Sequence, residues 1–309
     1  MIILSGGTGT PKLLQGVACV HDHDDLTVVV NTAEDSWAGG NLVTPDIDTV
    51  LYLLSGKLDT DKWWGIKDDT FTTHRALEAM GFDEGMMIGD NDRATHIMRT
   101  QMLRNGHTLT SSIEKLADLF EIDIRVLPMS DDPISTIICT PEGEMHFQEF
   151  WIREKGLPDI LDVRIEGIDK AKISPAVQKA LKTDDQILIG PSNPVTSIGP
   201  ILSIPGMVDI LKEKIVVAIS PIIAGKPVSG PAEKLMAARG IEVSSTGVAD
   251  VYRNIMDAFV VDIRDEISGR NFETDRYSVY REDTLMSSGK KSENLAHAVL
   301  SIFEDLSKS

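Results

Sequence analysis

The chain has 309 residues, with 30 Lys and Arg against 48 Asp and Glu, so its formal net charge is −18. Hydrophobic residues make up 42% and charged residues 25% of the chain, values that are typical of globular proteins and exclude a disordered or fibrous chain. The acidic balance argues against nucleic acid or an anionic membrane as a partner, because both are bound through Lys and Arg. A small phosphorylated ligand is not excluded, since backbone N–H groups can hold one anion whatever the global charge.

The cysteine content and the N-terminal sequence bear on the cellular location of the protein. The two cysteines, Cys19 and Cys139, lack the spacing of a metal site or a redox pair, and so few thiols in a long chain are typical of a reducing compartment. The N-terminus lacks the pattern of a signal peptide. No segment approaches the roughly 20 apolar residues of a membrane span. We therefore expect a soluble, cytoplasmic protein without a membrane partner.

Short apolar runs alternate with helical patterns along the chain. Helices are predicted at residues 11–20, through much of 48–119 and from 285 onward, and a hairpin at 136–150. Strands are predicted at residues 2–4, 26–30, 124–127, 186–189, 215–219, 241–244 and 258–262. These strands lack polar alternation, which indicates that both faces are buried, as in a parallel sheet.

The order of these elements predicts the fold class. Repeated β-α-β units at both ends of the chain are typical of an α/β fold with a doubly wound, mainly parallel, Rossmann-like sheet. The irregular middle predicts an inserted, mostly helical cap over residues 63–167. Residues 1–62 and 168–309 would then form the nucleotide-binding core.

A glycine-rich loop follows the first predicted strand, with residues 5–12 reading SGGTGTPK. It is not a Walker A loop, and Lys12 stands where the third glycine of a dinucleotide fingerprint would be. Glycines at a helix N-terminus let backbone N–H groups approach an anion. An ordinary tight turn is the alternative, but the composition favours phosphate or nucleotide contact. The candidate residues are Gly6, Gly7, Thr8, Gly9 and Lys12.

Two loops in the second half of the chain have a similar character, at residues 190–200 (GPSNPVTSIGP) and 220–234 (SPIIAGKPVSGPAEK). Their prolines stiffen them, which favours preorganised contacts. We expect them to contribute further phosphate or nucleotide contacts and positive charge. The candidates are Ser192, Asn193, Ser229, Gly230, Lys226 and Lys234.

Acidic residues follow the second strand and open the next helix. Asp35 lies in the polar segment after the strand, and Asp46 and Asp48 precede an apolar run. If the backbone is extended here, Asp46 and Asp48 point the same way and could share a cation. If it is helical, the two side chains diverge by roughly 200° and only one would face the ligand. The helical geometry is favoured, with Asp48 facing inward. Asp35 and Asp46 are candidate ligands of Mg²⁺, which prefers oxygen ligands next to phosphates.

Two further features are ambiguous. The adjacent indoles of Trp63 and Trp64 cannot share one helix face, so one is expected to pack and the other to cover a flat ligand, with core packing of both as the alternative. Arg93 and His96 lie three residues apart on one predicted helix face. A lone histidine of this kind is more often structural than catalytic.

Together these segments resemble the 2-phospho-L-lactate transferase family of deazaflavin coenzyme biosynthesis in archaea. The resemblance extends over almost the whole chain, although the first loop alone is shared with nucleotide-sugar-binding relatives. It is carried by residues 5–12, 31–35, 45–50, 63–65, 89–96, 128–133, 190–200, 220–231 and 283–286.

The resemblance implies a reaction. A 2-phospholactyl or phosphoenolpyruvyl group would pass from a lactyl- or enolpyruvyl-diphosphoguanosine donor to the ribityl hydroxyl of 7,8-didemethyl-8-hydroxy-5-deazariboflavin, with release of GMP. The family also requires Mg²⁺ and forms homodimers. Asp48 matches the family's deazaflavin-contacting acid, and Met87 falls where a longer polar or basic side chain often makes a second contact. The inserted cap would contribute to the acceptor site.

Within that reaction, Asp48 and Asp35 are the candidate catalytic residues. Asp48 would orient the ribityl chain and accept the hydroxyl proton, Asp35 and Asp46 would hold the metal, and one of Trp63 and Trp64 would cover the deazaflavin. The alternative is a regulatory protein of the same superfamily that binds nucleotide sugars without turnover. A dinucleotide-dependent oxidoreductase is disfavoured by the interrupted fingerprint in the first loop.

Overall fold

The computed structural model describes residues 1–228, 230–265 and 276–308. The strands are β1 (Ile2–Ser5), β2 (Thr27–Val30), β3 (Ser36–Ala38), β4 (Asn41–Val43), β5 (Arg125–Pro128), β6 (Ser135–Thr140), β7 (Gly143–His146), β8 (Asp162–Glu166), β9 (Gln186–Ile189), β10 (Ile215–Ile219), β11 (Ile222–Ile223), β12 (Lys226–Pro227), β13 (Ala258–Asp262) and β14 (Ser278–Glu282). The helices are α1 (Gly9–Val20), α2 (Pro45–Leu54), α3 (Thr72–Ala79), α4 (Asp90–Arg104), α5 (Leu109–Leu119), α6 (Pro175–Thr183), α7 (Ile198–Ser203), α8 (Met207–Leu211), α9 (Ala232–Ala238), α10 (Ser245–Tyr252) and α11 (Gly289–Leu306). A π-helical turn spans Glu149–Arg153.

The central sheet confirms the predicted fold class. Within the described ranges it has seven strands in the order β14-β13-β10-β9-β1-β2-β5, and every neighbouring pair is parallel. The chain first builds outward from β1 through β2 to β5, and then returns to β9 on the other side of β1. Ligands of such sheets bind outside the carboxyl ends of the strands at this switch point. The loops after β1 and β9 therefore meet where a binding site is expected.

Each strand of the sheet contributes to two apolar cores, one on each face. Ile2 and Leu4 point into one core and Ile3 into the other, because successive side chains of a strand alternate. All four residues of β1 and of β2 are buried. Burial on both faces explains why these strands read as continuous apolar runs.

The strand predicted at residues 241–244 is wrong. This segment connects α9 to α10: Ile241 N donates to the Met236 carbonyl at 2.9 Å, after Gly240 with a φ of +66°. Ser244 caps α10 by accepting a hydrogen bond from Gly247 N at 3.0 Å. The apolar side chains thus belong to a helix–helix connection, which the apolar run alone did not distinguish from a strand.

Six of the described strands were not predicted: β8 and β14 are rich in polar residues, and β3, β4, β11 and β12 have only two or three residues each. β14 lies at the sheet edge and β8 pairs with β6, extending the predicted hairpin to a three-stranded antiparallel sheet within the described residues. β5 belongs to the central sheet although it lies inside the range 63–167. The division of the chain at residues 63 and 167 stays a prediction. If it is correct, the inserted region contributes β5 to the central sheet. None of the helices within the described ranges has the length and apolar character to cross a bilayer.

Candidate active site

A cleft of about 700 Å³ opens at the carboxyl ends of the central strands. This volume is in the range of sites for small-molecule ligands. The loop after β1 contributes Gly7 and Thr8, the loop after β9 contributes Asn193, and Gly230 precedes α9. The three predicted loops therefore reach one cleft. Its large apolar lining residues are Trp63, Trp64, Met86, Met87, Ile88, Phe147, Trp151 and Ile152.

The loops after β1 and β9 are joined by a buried serine. The Ser192 hydroxyl accepts from Thr10 N at 3.0 Å, lies 2.7 Å from Thr10 Oγ1 and donates to the Gly6 carbonyl. Gly9 packs equally closely, since a Cβ there would lie 2.0 Å from the Pro191 carbonyl oxygen. Ser192 and Gly9 thus fix the two loops against each other, behind the cleft lining.

The remaining predicted contacts occupy different positions. Gly7, with a φ of +56°, donates its N–H to Asp46 Oδ1 at 2.8 Å. Lys12 Nζ stands 5.2 Å from the centre of the Trp63 ring. Lys234 Nζ donates to the carbonyl oxygens of Gly156 and Leu157, both at 2.9 Å, and so holds the segment after the π-helical turn. Ser229, the other predicted contact, lies outside the described residues.

Asp46 and Asp48 lie in the first turn of α2, as the favoured geometry predicted. The two carboxylates diverge: Asp46 faces the glycine loop and accepts from Asn31 Nδ2 at 2.8 Å, while Asp48 faces α4. Both nevertheless line the cleft and are only 4% exposed. The expectation that only one would face it is wrong, because the cleft extends around the start of the helix.

Asp48 is held by a buried charge network. Arg99 Nη1 and Nη2 donate to its two oxygens at 2.5 and 3.0 Å. His96 Nε2 lies 3.2 Å from Asp48 Oδ2 and 3.0 Å from Asp92 Oδ1, and Tyr52 donates to Asp92 Oδ1 at 2.7 Å. Burial alone would raise the pKa of Asp48, but Arg99 and His96 hold this pKa well below its ordinary value. Burial lowers the pKa of His96, but the two carboxylates outweigh it and raise that pKa to about 9.

Helix α4 supplies most of this network. Asp92, His96 and Arg99 follow one another at spacings of four and three residues, which place them on one helix face. Asp69 fixes the start of the helix by accepting hydrogen bonds from Asn91 N and Asp92 N. Sequence reasoning missed Asp92 and Arg99, although their spacing from His96 was the available signal.

A second set of carboxylates, Glu34, Asp35 and Asp46, has no ion pair among the described residues, and Glu34 and Asp46 of this set line the cleft. Burial raises the pKa of Glu34, and the charge of Asp46 raises it further. Burial also raises the pKa of Asp46 to about 6, despite the hydrogen bonds from Asn31 and Gly7. For Asp35 burial is again the largest cause, and the pKa is raised well above its ordinary value although Arg99 opposes the shift. Among the described residues Asp35 Oδ1 is buried without a hydrogen-bond partner.

Two places, one in the cleft and one that includes Asp46 of its lining together with Asp35, therefore have the side chains for a divalent metal. Asp48, Asp92 and His96 each offer one ligand atom within 4.8 Å of the others, the one such group in the part of the chain that the structure describes. Its charge is already balanced by Arg99. Asp35 and Asp46, by contrast, have raised pKa values, and a bound cation would stabilise the ionised form that burial disfavours.

The tryptophans and Met87 form an apolar part of the lining. Trp63 has a φ of +61°, and Trp64 is 41% exposed with Lys62 Nζ 5.4 Å from its ring centre. Both indoles line the cleft, so neither lies in the apolar core. Met87 lines the cleft as well and is 47% exposed.

Comparison with known proteins identifies the family to which the chain belongs. The model of the 2-phospho-L-lactate transferase CofD family matches residues 1–299. The chain belongs to this family. It is accordingly an enzyme of the transferase class, as the resemblance predicted.

Curated relatives agree with this membership. The 2-phospho-L-lactate transferase of Methanococcoides burtonii is 56% identical, over 99% of this chain and 100% of that protein. The protein of the same name from Methanocaldococcus jannaschii is 45% identical, over 84% of this chain and 85% of its own length. A UPF0052-family crystal structure from Bacillus halodurans shares the fold at a TM-score of 0.60 and 18% identity, covering 97% of each chain.

Proposed function

We propose that this family member transfers a 2-phospholactyl or phosphoenolpyruvyl group from a lactyl- or enolpyruvyl-diphosphoguanosine donor to the ribityl hydroxyl of 7,8-didemethyl-8-hydroxy-5-deazariboflavin. The ribityl oxygen forms a bond to the phosphorus that carries the lactyl or enolpyruvyl group, and the bond from that phosphorus to GMP breaks. Both substrates are small molecules. The resemblance also implies a homodimer, and the cysteine content a cytoplasmic location; we include both in the proposal.

One observation carries this proposal. A single cleft combines glycine-rich turns at the switch point of the sheet, buried carboxylates and large apolar side chains. Phosphoryl transfer depends mainly on positioning and charge neutralisation, and these three components supply a phosphate site, a cation site and a surface for a flat ring. A protein that only binds nucleotide sugars has no use for the Trp63 and Trp64 surface.

The donor is assigned to the loops at the switch point. Thr8 and Asn193 line the cleft there, and the N-terminus of α1 favours an anion through its dipole. Ser192 and Gly9 hold the two loops in register from behind. Gly230 contributes from the third loop, and we include Ser229 from the sequence.

We assign Mg²⁺ to Asp35 and Asp46. The unpartnered Asp35 Oδ1 and the raised pKa values of both carboxylates fit a cation there, and Mg²⁺ favours oxygen ligands. The group around His96 fits Mg²⁺ less well, because it offers a nitrogen and its charge is balanced by Arg99. When bound, the metal would neutralise the diphosphate charge that develops as GMP leaves.

The acceptor is assigned to the other residues of the lining. Trp63, Trp64 and Met87 provide apolar surface for the deazaflavin ring. Asp48 orients the ribityl hydroxyls, because Arg99 fixes its carboxylate in one position within the cleft. We also assign acceptance of the hydroxyl proton to Asp48, and a catalytic role to Asp35 through the metal that it would hold.

Two experiments test the proposal. Protein, Mg²⁺, the deazaflavin alcohol and the lactyl donor are mixed, and GMP is measured by chromatography; we expect GMP and the phospholactyl product in equal amounts. A titration with the coloured deazaflavin, without donor, should change its absorption spectrum. Absence of both the spectral change and GMP release would favour a protein that only binds nucleotide sugars.

A further inference from the structure

A second cavity, of about 480 Å³, is lined by a different face of α4 from the one that lines the cleft. We call it the Lys57 groove. Lys57 and Lys67 line it together with apolar side chains that include Met98, Leu119 and Phe120. Leu119 is 50% exposed, so this apolar surface is open to solvent.

The charge of the groove is unusual for this molecule. The chain has a net charge of −18, yet within residues 1–228, 230–265 and 276–308 neither Lys57 nor Lys67 forms an ion pair. Lys57 Nζ instead lies 5.8 Å from the centre of the Phe120 ring. Asp68 is the opposing carboxylate on the lining. The groove thus combines two unpaired cations with an apolar wall.

The groove is connected to the cleft through one short segment, residues 57–67, which we call the Trp segment. Its ends are joined by a β-bridge between Leu58 and Ile66 and by a hydrogen bond from Lys67 N to the Lys57 carbonyl at 2.8 Å. Both ends line the Lys57 groove, whereas Trp63 and Trp64 in the middle line the cleft.

Tyr52 forms a second connection. Its hydroxyl donates to Asp92 in the cleft network, while its ring lies 6.1 Å, between centroids, from the ring of Phe120 in the groove. The Tyr52 carbonyl also accepts from Lys57 N at 2.8 Å. A molecule held in the groove would therefore contact residues that support both the Trp segment and the Asp92 side of the cleft.

We propose that the Lys57 groove is a second ligand site, for an amphipathic anion. A carboxylate, sulfonate or phosphate group would be held by Lys57 and Lys67, and an apolar body would lie against Phe120, Leu119 and Met98. The occupied groove restrains the Trp segment and thereby the tryptophan surface of the cleft. The site itself does not depend on the proposed reaction; the effect on acceptor binding does.

The probe for the site is 8-anilinonaphthalene-1-sulfonate, an amphipathic anion whose fluorescence rises in apolar surroundings. We expect Lys57→Met with Lys67→Met to weaken its binding by about tenfold, as the loss of two exposed charge contacts implies. Asp68→Asn should tighten binding by about threefold, because it removes a like charge, and asparagine tolerates the φ of +56° at this position. Lys115→Met, an exposed lysine of α5 outside the lining, is the matched control and should bind the probe like the wild type.

Three results would overturn the site. The double lysine variant would bind the probe as tightly as the wild type. Trp64→Ala, rather than the lysine variant, would weaken binding, which would place the probe in the cleft. Binding would fall as the protein concentration rises, which would show that a second copy of the chain covers the groove.

The coupling is tested by hydrogen–deuterium exchange of residues 58–66 with and without the probe. We expect slower exchange when the probe is bound to the wild type, and no change in the double lysine variant. Unchanged exchange in the wild type at saturating probe would contradict the restraint on the Trp segment. Neither measurement requires turnover, so failure of this proposal and failure of the proposed reaction are separately visible.

Discussion

The two carboxylate groups of the cleft differ in charge balance far more than in burial. Asp46 and Asp48 are two residues apart and equally buried, yet the pKa of Asp46 is raised to about 6 and that of Asp48 is lowered. Arg99 and His96 account for the difference, because they face only Asp48 closely. The comparison indicates that a buried carboxylate with a fixed cation positions a ligand, whereas one without a cation is suited to binding a metal.

Removing Arg99, the cation that pairs with Asp48, should have the largest effect on stability. Arg99 is fully buried, and Arg99→Met leaves the Asp48 charge in the interior with less compensation. We expect a loss of about 3–5 kcal/mol in the free energy of unfolding, measured by urea denaturation. Arg104→Met, which removes an exposed hydrogen bond from the same helix, should cost under about 1 kcal/mol. Equal effects of the two variants would show that Asp48 does not need its cation.

His96, which also faces Asp48, should make the protein less stable at alkaline pH. The pKa of His96 is raised to about 9, so its stabilising contribution is complete below about pH 6.5 and is lost as the pH rises through 9. The difference in unfolding free energy between wild type and His96→Gln should shrink by about 3 kcal/mol across this interval. A difference that stays constant with pH would mean that His96 is neutral in the folded protein.

Asp46, which forms an ion pair with none of the described residues, should make the protein less stable as the pH rises from 4 to 7. The pKa of Asp46 is raised from 3.8 to about 6, so the folded state binds this proton more tightly and its advantage is lost as the pH rises through 6. In EDTA, the wild type should lose about 2–3 kcal/mol relative to Asp46→Asn between pH 4 and 7. Parallel stability curves for the two proteins would show that Asp46 has a cation partner in solution.

Two exposed tryptophans, Trp64 and Trp37, test where the deazaflavin acceptor binds. Trp64 lines the cleft and Trp37, although more exposed at 64%, does not. Trp64→Ala should raise the KM for the deazaflavin by about tenfold with a smaller change in kcat, as loss of a stacking surface implies. Trp37→Ala should leave both constants within about twofold. A larger effect of Trp37 would place the acceptor elsewhere.

Sequence patterns predicted the part of the site that depends on local structure. The glycine loop, the loop after β9 and the helical start of α2 were predictable, because strand ends, glycines and prolines define them within a few residues. Asp92 and Arg99 were not singled out, since their role arises only when α4 packs beside α2. Ser192 was predicted as a ligand contact, and only the packing of two loops shows that it joins Thr10 to Gly6.

The position of the metal distinguishes the two sets of carboxylates: we assign it to Asp35 and Asp46 and not to Asp48 and Asp92. Manganese binding in the presence of GDP, followed by electron paramagnetic resonance, measures it for wild type, Asp46→Asn and Asp92→Asn. We expect at least about tenfold weaker binding for Asp46→Asn and near wild-type binding for Asp92→Asn. Weakening in Asp92→Asn alone would place the metal at Asp48, Asp92 and His96 and not at Asp35 and Asp46.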